Sequence, residues 1–315
     1  MKIYHDINDF QQVDNAVVTI GNFDGVHLGH REILKNLISE AKKNHGETVI
    51  VTFFPHPRKV LNINTKNLKF ITSIEDKLHI FEELGIDNVV IINFTEEFSK
   101  ISSSDFLQHF IIEKIHPIKI VTGYDHRFGN SGTGNFQLLS EMAEKYGFSV
   151  EKILEKNCEN LTVSSTKIRE SLQKGDVKTA NALLGYEFSY FGKVVPGQQI
   201  GRKIGFRTAN LEIDEEFRLI EHNGVYATIV EIDSNQYKSM TYIGNRPTIN
   251  DGRPASIEVF VFDFNGDLYG KNIRLRFIDF VRDEQNFNSL QNLENQLNKD
   301  EEKIRFVLSQ YEEKY

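Results

Sequence analysis

Cysteine is almost missing from this chain, with Cys158 the only one among 315 residues. One thiol makes neither an intrachain disulfide nor a thiolate metal cluster, which leaves Cys158 a plain core or surface residue. Long apolar runs are missing too, and none would span a bilayer. The opening segment Met1-Lys2-Ile3-Tyr4-His5-Asp6 has neither the basic nor the apolar region of a secretion signal. We therefore expect a cytoplasmic protein with no membrane partner. An excess of positive charge is absent, the formal net charge being −8. That speaks against a broad nucleic-acid-binding face, though not against a local cationic pocket for a nucleotide, nor against a homo-oligomer. There is no fixed-period repeat, no low-complexity tract and no G-x-x-x-x-G-K-[ST] phosphate loop.

What is present is an ordinary globular composition, 39% hydrophobic and 26% charged, in a chain long enough for two domains with their own cores. The first half alternates strand and helix patterns. Strands are expected at residues 16–20, 48–54, 88–92, 119–122 and 148–154. Helical spacing falls between them, through Ile33, Leu34, Leu37, Ile38 and Ala41, then at 73–84, 104–115 and 136–146. This predicts a doubly wound, Rossmann-like α/β domain whose ligands sit beyond the carboxyl ends of the strands. After a short helix ending at Gly185 the pattern changes to short strands and turns. We place a boundary near residue 186, giving domains 1–186 and 187–315. Strands at 188–195, 224–232, 238–243, 256–262 and 273–281 predict a small antiparallel β-barrel, followed by a C-terminal helical region through Leu290, Leu293, Leu297, Ile304, Val307 and Leu308.

Two stretches of the first half point to anion chemistry. Gly21-Asn22-Phe23-Asp24-Gly25-Val26-His27-Leu28-Gly29-His30 leaves a strand and opens a helix. Its glycines permit a tight turn and close approach to a ligand. The helix N-terminus offers free N–H groups and the positive end of a dipole to an anion, with His27 and His30 beside it. The second stretch, Val163-Ser164-Ser165-Thr166-Lys167-Ile168-Arg169-Glu170, opens another helix. Hydroxyls alone would read as caps. Cations in the first turns oppose the dipole unless something negative lies there, so Lys167 and Arg169 suggest a second anion cradle. Other candidates follow strands: Pro55-His56-Pro57-Arg58, and Gly123-Tyr124-Asp125-His126-Arg127-Phe128-Gly129 with a glycine-rich tail that is either a ligand loop or a solvated turn.

The Gly-x-Phe-Asp-Gly-x-His-x-Gly-His string resembles the signature of the HxGH nucleotidyltransferases. With the Ser-Ser-Thr-x-Ile-Arg run it is similar to the FAD synthetase branch over residues 15–173. The resemblance implies adenylyl transfer from ATP to FMN, yielding FAD and pyrophosphate with help from Mg2+. It implies ATP and phosphate contacts at Gly21, Phe23, Asp24, Gly25, Ser164, Ser165 and Thr166. His27, His30 and Arg169 would stabilise developing charge, the histidines as hydrogen-bond donors or as proton donors. Asp125 and Arg127 would meet the adenine or flavin.

In the second half, Gly197, Gly201 and Gly205, flanked by Arg202 and Lys203, are plain turns or a phosphate loop. The ordered series Gly-Arg-x-x-Gly-x-x-Thr-Ala-Asn, Asn223-Gly224-Val225-Tyr226-Ala227, Ile243-Gly244-Asn245-Arg246-Pro247-Thr248, Ile257-Glu258-Val259 and Phe280-Val281-Arg282-Asp283-Glu284 resembles the riboflavin kinase module over residues 187–311. That resemblance implies Gly201, Arg202 and Lys203 at phosphates, and Thr208 and Asn210 on Mg2+ and ATP. It implies Glu258 as general base for the ribityl hydroxyl, and Arg282 and Glu284 at the flavin. Two positions depart from the family pattern: Arg207 stands where it has proline, and Phe260 where it often has a polar residue. Arg207 either tightens ATP binding or misplaces Thr208 and Asn210, and we expect kinase activity to survive, at the same or a reduced rate.

The whole chain thus resembles the bifunctional riboflavin kinase/FAD synthetases, with riboflavin, ATP, FMN and FAD as its small-molecule partners. Two alternatives stand beside that expectation. One is an FAD synthetase whose second domain only holds flavin. The other is a non-enzymatic flavin-binding regulator, against which the intact His27, His30, Ser165, Thr166 and Arg169 count.

Overall fold

A computed structural model describes residues 1–62, 69–124, 126–154, 163–196, 206–214, 217, 219–220, 222–244 and 256–312. The chain folds as two compact units, Met1–Ser165 and Thr166–Tyr315. Among the described residues the first unit is built on a six-stranded sheet. In chain order its elements are β1 (Lys2–Tyr4), β2 (Val17–Ile20), α1 (Leu28–Lys43), β3 (Thr48–Phe54), α2 (Pro57–Val60), α3 (Ile74–Glu83), β4 (Asn88–Asn93), α4 (Ser103–Asp105), a π-helical stretch Phe106–Ile112, α5 (Glu113–Ile115), β5 (Lys119–Gly123), α6 (Phe136–Tyr146) and β6 (Ser149–Ile153).

The strand order is β1-β4-β3-β2-β5-β6, and every pairing is parallel. Helices cover the faces of such a sheet, so its central strands are apolar on both sides. Val17-Val18, Val49-Ile50-Val51 and Val89-Val90 are accordingly buried without alternation. From β2 the chain winds outward to β3 and β4, then returns to place β5 on the other side of β2. Order reverses there, and the crevice at the carboxyl ends of β2 and β5 is where a doubly wound sheet takes its ligand. Strand β1 was not expected from the sequence: three residues with a single buried side chain carry no readable period. The helix expected at 104–115 is present but switches to π geometry over Phe106–Ile112, a departure that tends to mark functional sites.

The second unit contains most of α7 (Ser165–Gln173), α8 (Val177–Leu184), strands β7 (Ser189–Val195), β8 (Thr208–Glu212), β9 (Gly224–Ile232), β10 (Asn235–Gly244), β11 (Ser256–Val261) and β12 (Asn272–Asp283), and helix α9 (Leu290–Glu312). The strands close into a barrel in the order β10-β11-β8-β7-β12-β9, all antiparallel. Closure leaves no unpaired edge among them. Helix α9 seals one side, burying Ile304 and Leu308 against Val225, Ala227, Ile229 and Met240. Helix α8 also belongs to the barrel. Asn181 Nδ2 donates to Phe277 O, and Asn181 Oδ1 accepts from Phe188 N–H, both at 2.8 Å. The change of sequence pattern at residue 186 therefore separates helix from strand, while the compact units part earlier in the chain.

One ion pair ties α9 to β12. Arg282 donates from Nε and Nη2 to Asp300 at 2.7–3.0 Å, and Asp300 is only 3% exposed. Removing one partner of a buried pair leaves the other charge uncompensated. Asp300→Ala is expected to destabilise the second unit by about 3 kcal/mol, read as a lowered urea midpoint for its unfolding; an unchanged midpoint would show that the pair does not hold α9.

Candidate functional site

The loop between β2 and α1 is made of residues held in costly conformations. Phe23 has φ 49°, Gly25 φ 82° and Val26 φ 34°. Left-handed backbone costs about 1–3 kcal/mol at a non-glycine residue and persists only where surroundings impose it. Gly25 cannot be replaced easily, since a Cβ there would lie 3.0 Å from Ile71 Cδ1. Asp24 supplies much of the restraint. Only 5% exposed, its Oδ1 accepts from Ile71 N–H at 3.0 Å and Thr72 N–H at 3.3 Å. Gly25 N–H returns a hydrogen bond to Thr72 Oγ1 at 3.0 Å. Lys77, on α3, donates from Nζ to Asn22 O at 2.6 Å. Phe23 is buried, with its ring edge-on to His30 at 5.2 Å and to Phe81 at 5.8 Å. Phe23 and Asp24 thus pack inside the loop, and the Phe23 ring supports His30.

His27 is the N-cap of α1. Its Nδ1 accepts from His30 N–H at 3.3 Å. A neutral ring that accepts at Nδ1 carries its proton on Nε2, which makes His27 a donor on its other side. The two imidazoles stack at 3.7 Å with planes 11° apart. His30 Nδ1 is buried and has no hydrogen-bond partner among the described atoms. Burial first, then His27 and Lys77, hold the His30 pKa well below the usual 6.5. The site therefore holds a neutral ring at neutral pH, facing a helix N-terminus suited to an anion. The second expected motif reaches this loop directly, as Ser165 Oγ donates to Asp24 O at 3.1 Å. Thr166 and Arg169 continue α7 into the second unit.

A cavity of about 420 Å³ opens beside the loop. Gly21 and Asn22 line it, with Phe53, Phe94, Phe98, Phe106 and Phe128 from the ends of β3, β4 and the π-helical stretch and from the loop after β5. His126 and Arg127 reach it as well. The glycine-rich segment is folded: Phe128 and Gly134 exchange backbone hydrogen bonds at 3.2 and 2.9 Å. The aromatic lining was not foreseen as a site, because its phenylalanines are scattered over sixty and more positions and each alone reads as core. Lys77 had a signal that went unread. It stands at i+3 from Ile74 and four before Phe81, inside the apolar stripe of α3.

In the second unit β8 and β11 pair with Asn210 opposite Glu258 and Thr208 opposite Phe260. Thr208 Oγ1 donates to Glu258 Oε2 at 3.3 Å, and Asn210 is 6% exposed. Three of the expected kinase residues therefore meet on one patch. Phe260 has a packing reason, with its ring 4.8 Å from Phe206 and 5.6 Å from Phe262. Arg207 is exposed and lines a cavity of about 680 Å³ together with Thr208, Asp263, Asp267 and Tyr269. Glu284 accepts from Asn223 Nδ2 at 3.0 Å and from the Tyr242 hydroxyl. The Arg282 guanidinium, expected at flavin, is bound by Asp300. Asp125, Cys158, Gly201, Arg202, Lys203 and the Asn245-Arg246-Pro247-Thr248 run lie outside the described residues.

A neutral, buried His30 has consequences for stability. Below pH 6.5 the unfolded chain takes up a proton that the folded ring refuses, so the first unit loses stability as pH falls from 6.5 toward the depressed pKa. Ring-nitrogen NMR is expected to show His30 still neutral at pH 6. Titration near 6.5 would contradict the burial that the loop imposes.

Comparison with known proteins shows the family. The family model described as FAD synthetase matches residues 9–167, and that described as riboflavin kinase matches residues 184–308. A bifunctional riboflavin kinase/FMN adenylyltransferase of Listeria monocytogenes is 34% identical over 312 residues, covering 99% of this chain and 98% of that one. Proteins of the same name from Buchnera aphidicola and Bacillus subtilis are 37% and 35% identical, over 95% and 92% of this chain and 96% and 92% of their own. A solved structure described as a macrolide-efflux protein from Streptococcus pneumoniae superposes with a TM-score of 0.86 at 30% identity, over 96% of this chain and 98% of that one. Among the described residues no helix is long and apolar enough to cross a membrane. The chain belongs to the bifunctional riboflavin kinase/FMN adenylyltransferase family, with an FAD synthetase module ahead of a riboflavin kinase module.

Proposed function

We propose that residues 1–186 transfer an adenylyl group from ATP to FMN and residues 187–315 phosphorylate riboflavin, so that the second module makes the acceptor for the first. The observation that carries the first assignment is the strained loop that sets two stacked imidazoles at a helix N-terminus, beside a 420 Å³ aromatic cavity. A flavin ring is flat, with an apolar dimethylbenzene end suited to edge and face contacts with Phe53, Phe98 and Phe106. Its phosphate oxygen attacks the α-phosphorus of ATP in line. One O–P bond forms as the bond to the leaving pyrophosphate breaks, and no protein nucleophile takes part. His27 Nε2–H, the first N–H groups of α1 and Arg169 stabilise the charge that builds on the bridging oxygen and on pyrophosphate. Gly21, Phe23, Asp24 and Gly25 set the shape of the cradle. Ser164, Ser165 and Thr166 bound the phosphates from the start of α7. Asp125 and Arg127 hold the flavin or adenine.

In the second module Glu258 takes the proton of the ribityl hydroxyl as that oxygen attacks the γ-phosphorus and ADP leaves. Thr208 and Asn210 present hard oxygen donors beside Glu258, which suits Mg2+. Among the described residues no group of three or more His, Cys, Asp or Glu side chains is placed to hold a metal, so such an ion would share the ATP phosphates and neutralise their charge. Gly201, Arg202 and Lys203 contact phosphate, and Glu284 contacts the flavin, held in place by Asn223 and Tyr242. Arg282, which locks β12 to α9 through Asp300, contacts the flavin beside it. The setting is the cytoplasm, with riboflavin, ATP, FMN and FAD as partners and no nucleic acid.

Two variants separate the modules. Glu258→Gln is expected to slow FMN formation by about 10²–10⁴-fold while FAD formation from supplied FMN stays intact. His27→Asn is expected to do the reverse, with a loss of about 10²-fold or more in FAD formation. Either variant abolishing both products, or neither, contradicts the division.

A further inference from the structure

Lys77 is a lysine in a place where lysine is costly. It sits on the inner stripe of α3, 6% exposed, and burial depresses its pKa to about 8. Neither module's expected chemistry calls for it. Among the described residues its polar partners lie in the loop after β2. Nζ donates to Asn22 O at 2.6 Å, and the Asp24 carboxylate lies close enough to favour its charge. Asp24 is itself fixed by the N–H groups of Ile71 and Thr72. The residue between these two anchors is Phe23, at φ 49°. Left-handed backbone at a bulky residue survives where both flanks are pinned. Here Lys77 pins one flank and the 71–72 backbone pins the other.

The consequence reaches the imidazoles through packing. The Phe23 ring stands edge-on to His30, and His30 stacks on His27. Released at Asn22, Phe23 relaxes toward ordinary backbone, its ring moves, and His30 loses the surface it rests on. We propose that Lys77 is a positioning residue for adenylyl transfer, whose buried ammonium holds the Gly21–Gly25 turn in the conformation that presents His27 and His30 to the phosphates. A neutral donor would hold the carbonyl without balancing Asp24, so both the hydrogen bond and the charge have a purpose.

The inference rests on the assignment of this loop to adenylyl transfer, which the wild-type protein and His27→Asn test separately. The experiment compares wild type, Lys77→Met and Lys77→Gln at saturating Mg-ATP. It reads kcat for FAD formation from FMN, FMN affinity by flavin fluorescence, and riboflavin phosphorylation in the same preparations. Lys77→Met is expected to lower kcat for FAD formation by about 10–100-fold, with FMN affinity changed less than about threefold and phosphorylation within about twofold. Lys77→Gln, which keeps a donor toward Asn22, is expected to lie between Met and wild type. A loss confined to KM, or a variant that binds FMN and forms FAD at the wild-type kcat, overturns the proposal. Loss of FMN binding in both variants also overturns it, because Lys77 would then be a core residue only.

Discussion

The hydrogen bonds that bind the Asp24 carboxylate to Ile71 and Thr72 N–H, with Lys77 on the neighbouring carbonyl, are what the first site depends on. They hold a seven-residue path from the end of β2 to the start of α1 in backbone regions that Phe23 and Val26 rarely occupy. Without that restraint the loop would relax, α1 would lose the cap that His27 provides, and the two imidazoles would separate. The restraint comes from outside the loop, from the segment leading into α3. The loop is thus shaped by packing one strand–helix turn against the next, and its precision is a property of the sheet's winding as much as of the motif.

The second unit reaches its chemistry by another route. A closed antiparallel barrel fixes register strand by strand, and register alone sets Asn210 opposite Glu258 and brings Thr208 within hydrogen-bonding distance of that carboxylate. Register shifts along β12 fall between Phe277 and Asp279 and between Phe280 and Arg282. Those bulges re-aim the strand's last residues. Arg282 turns to Asp300 on α9, and Glu284 meets Asn223 and Tyr242. The two units therefore divide the work: loops on a parallel sheet for one reaction, strand faces of a barrel for the other.

Long elements with strong periods were legible in the sequence. The buried runs of β3 and β4, helix α6, and strands β9 and β12 stand within a few residues of where their patterns put them. β1 was illegible because three residues hold no period, and the π-helical stretch because over so short a run the wider i→i+5 turn cannot be told from an α-helical one. At the sites, the string from Gly21 to His30 and the run from Ser164 were readable as motifs; His27 stacks on His30, and Ser165 meets the same loop at the Asp24 carbonyl. The roles of Phe23 and Asp24 inside the loop were not readable, since a string of letters does not say which side chains face inward. Nor was the aromatic cavity, whose walls come from four separated segments joined only by the fold. Lys77 was readable in principle, as the one charged residue on an apolar helical stripe, but charge on a helix defaults to solvent until burial is seen.

The account rests on one chain carrying two complete sites, with FMN made at one and consumed at the other. A time course with riboflavin and Mg-ATP as the only substrates, flavins resolved by chromatography, tests this most directly. FMN is expected to rise first and FAD to follow at its expense, with pyrophosphate released in step with FAD. FAD formed only when FMN is supplied, or no conversion of either flavin, would contradict it.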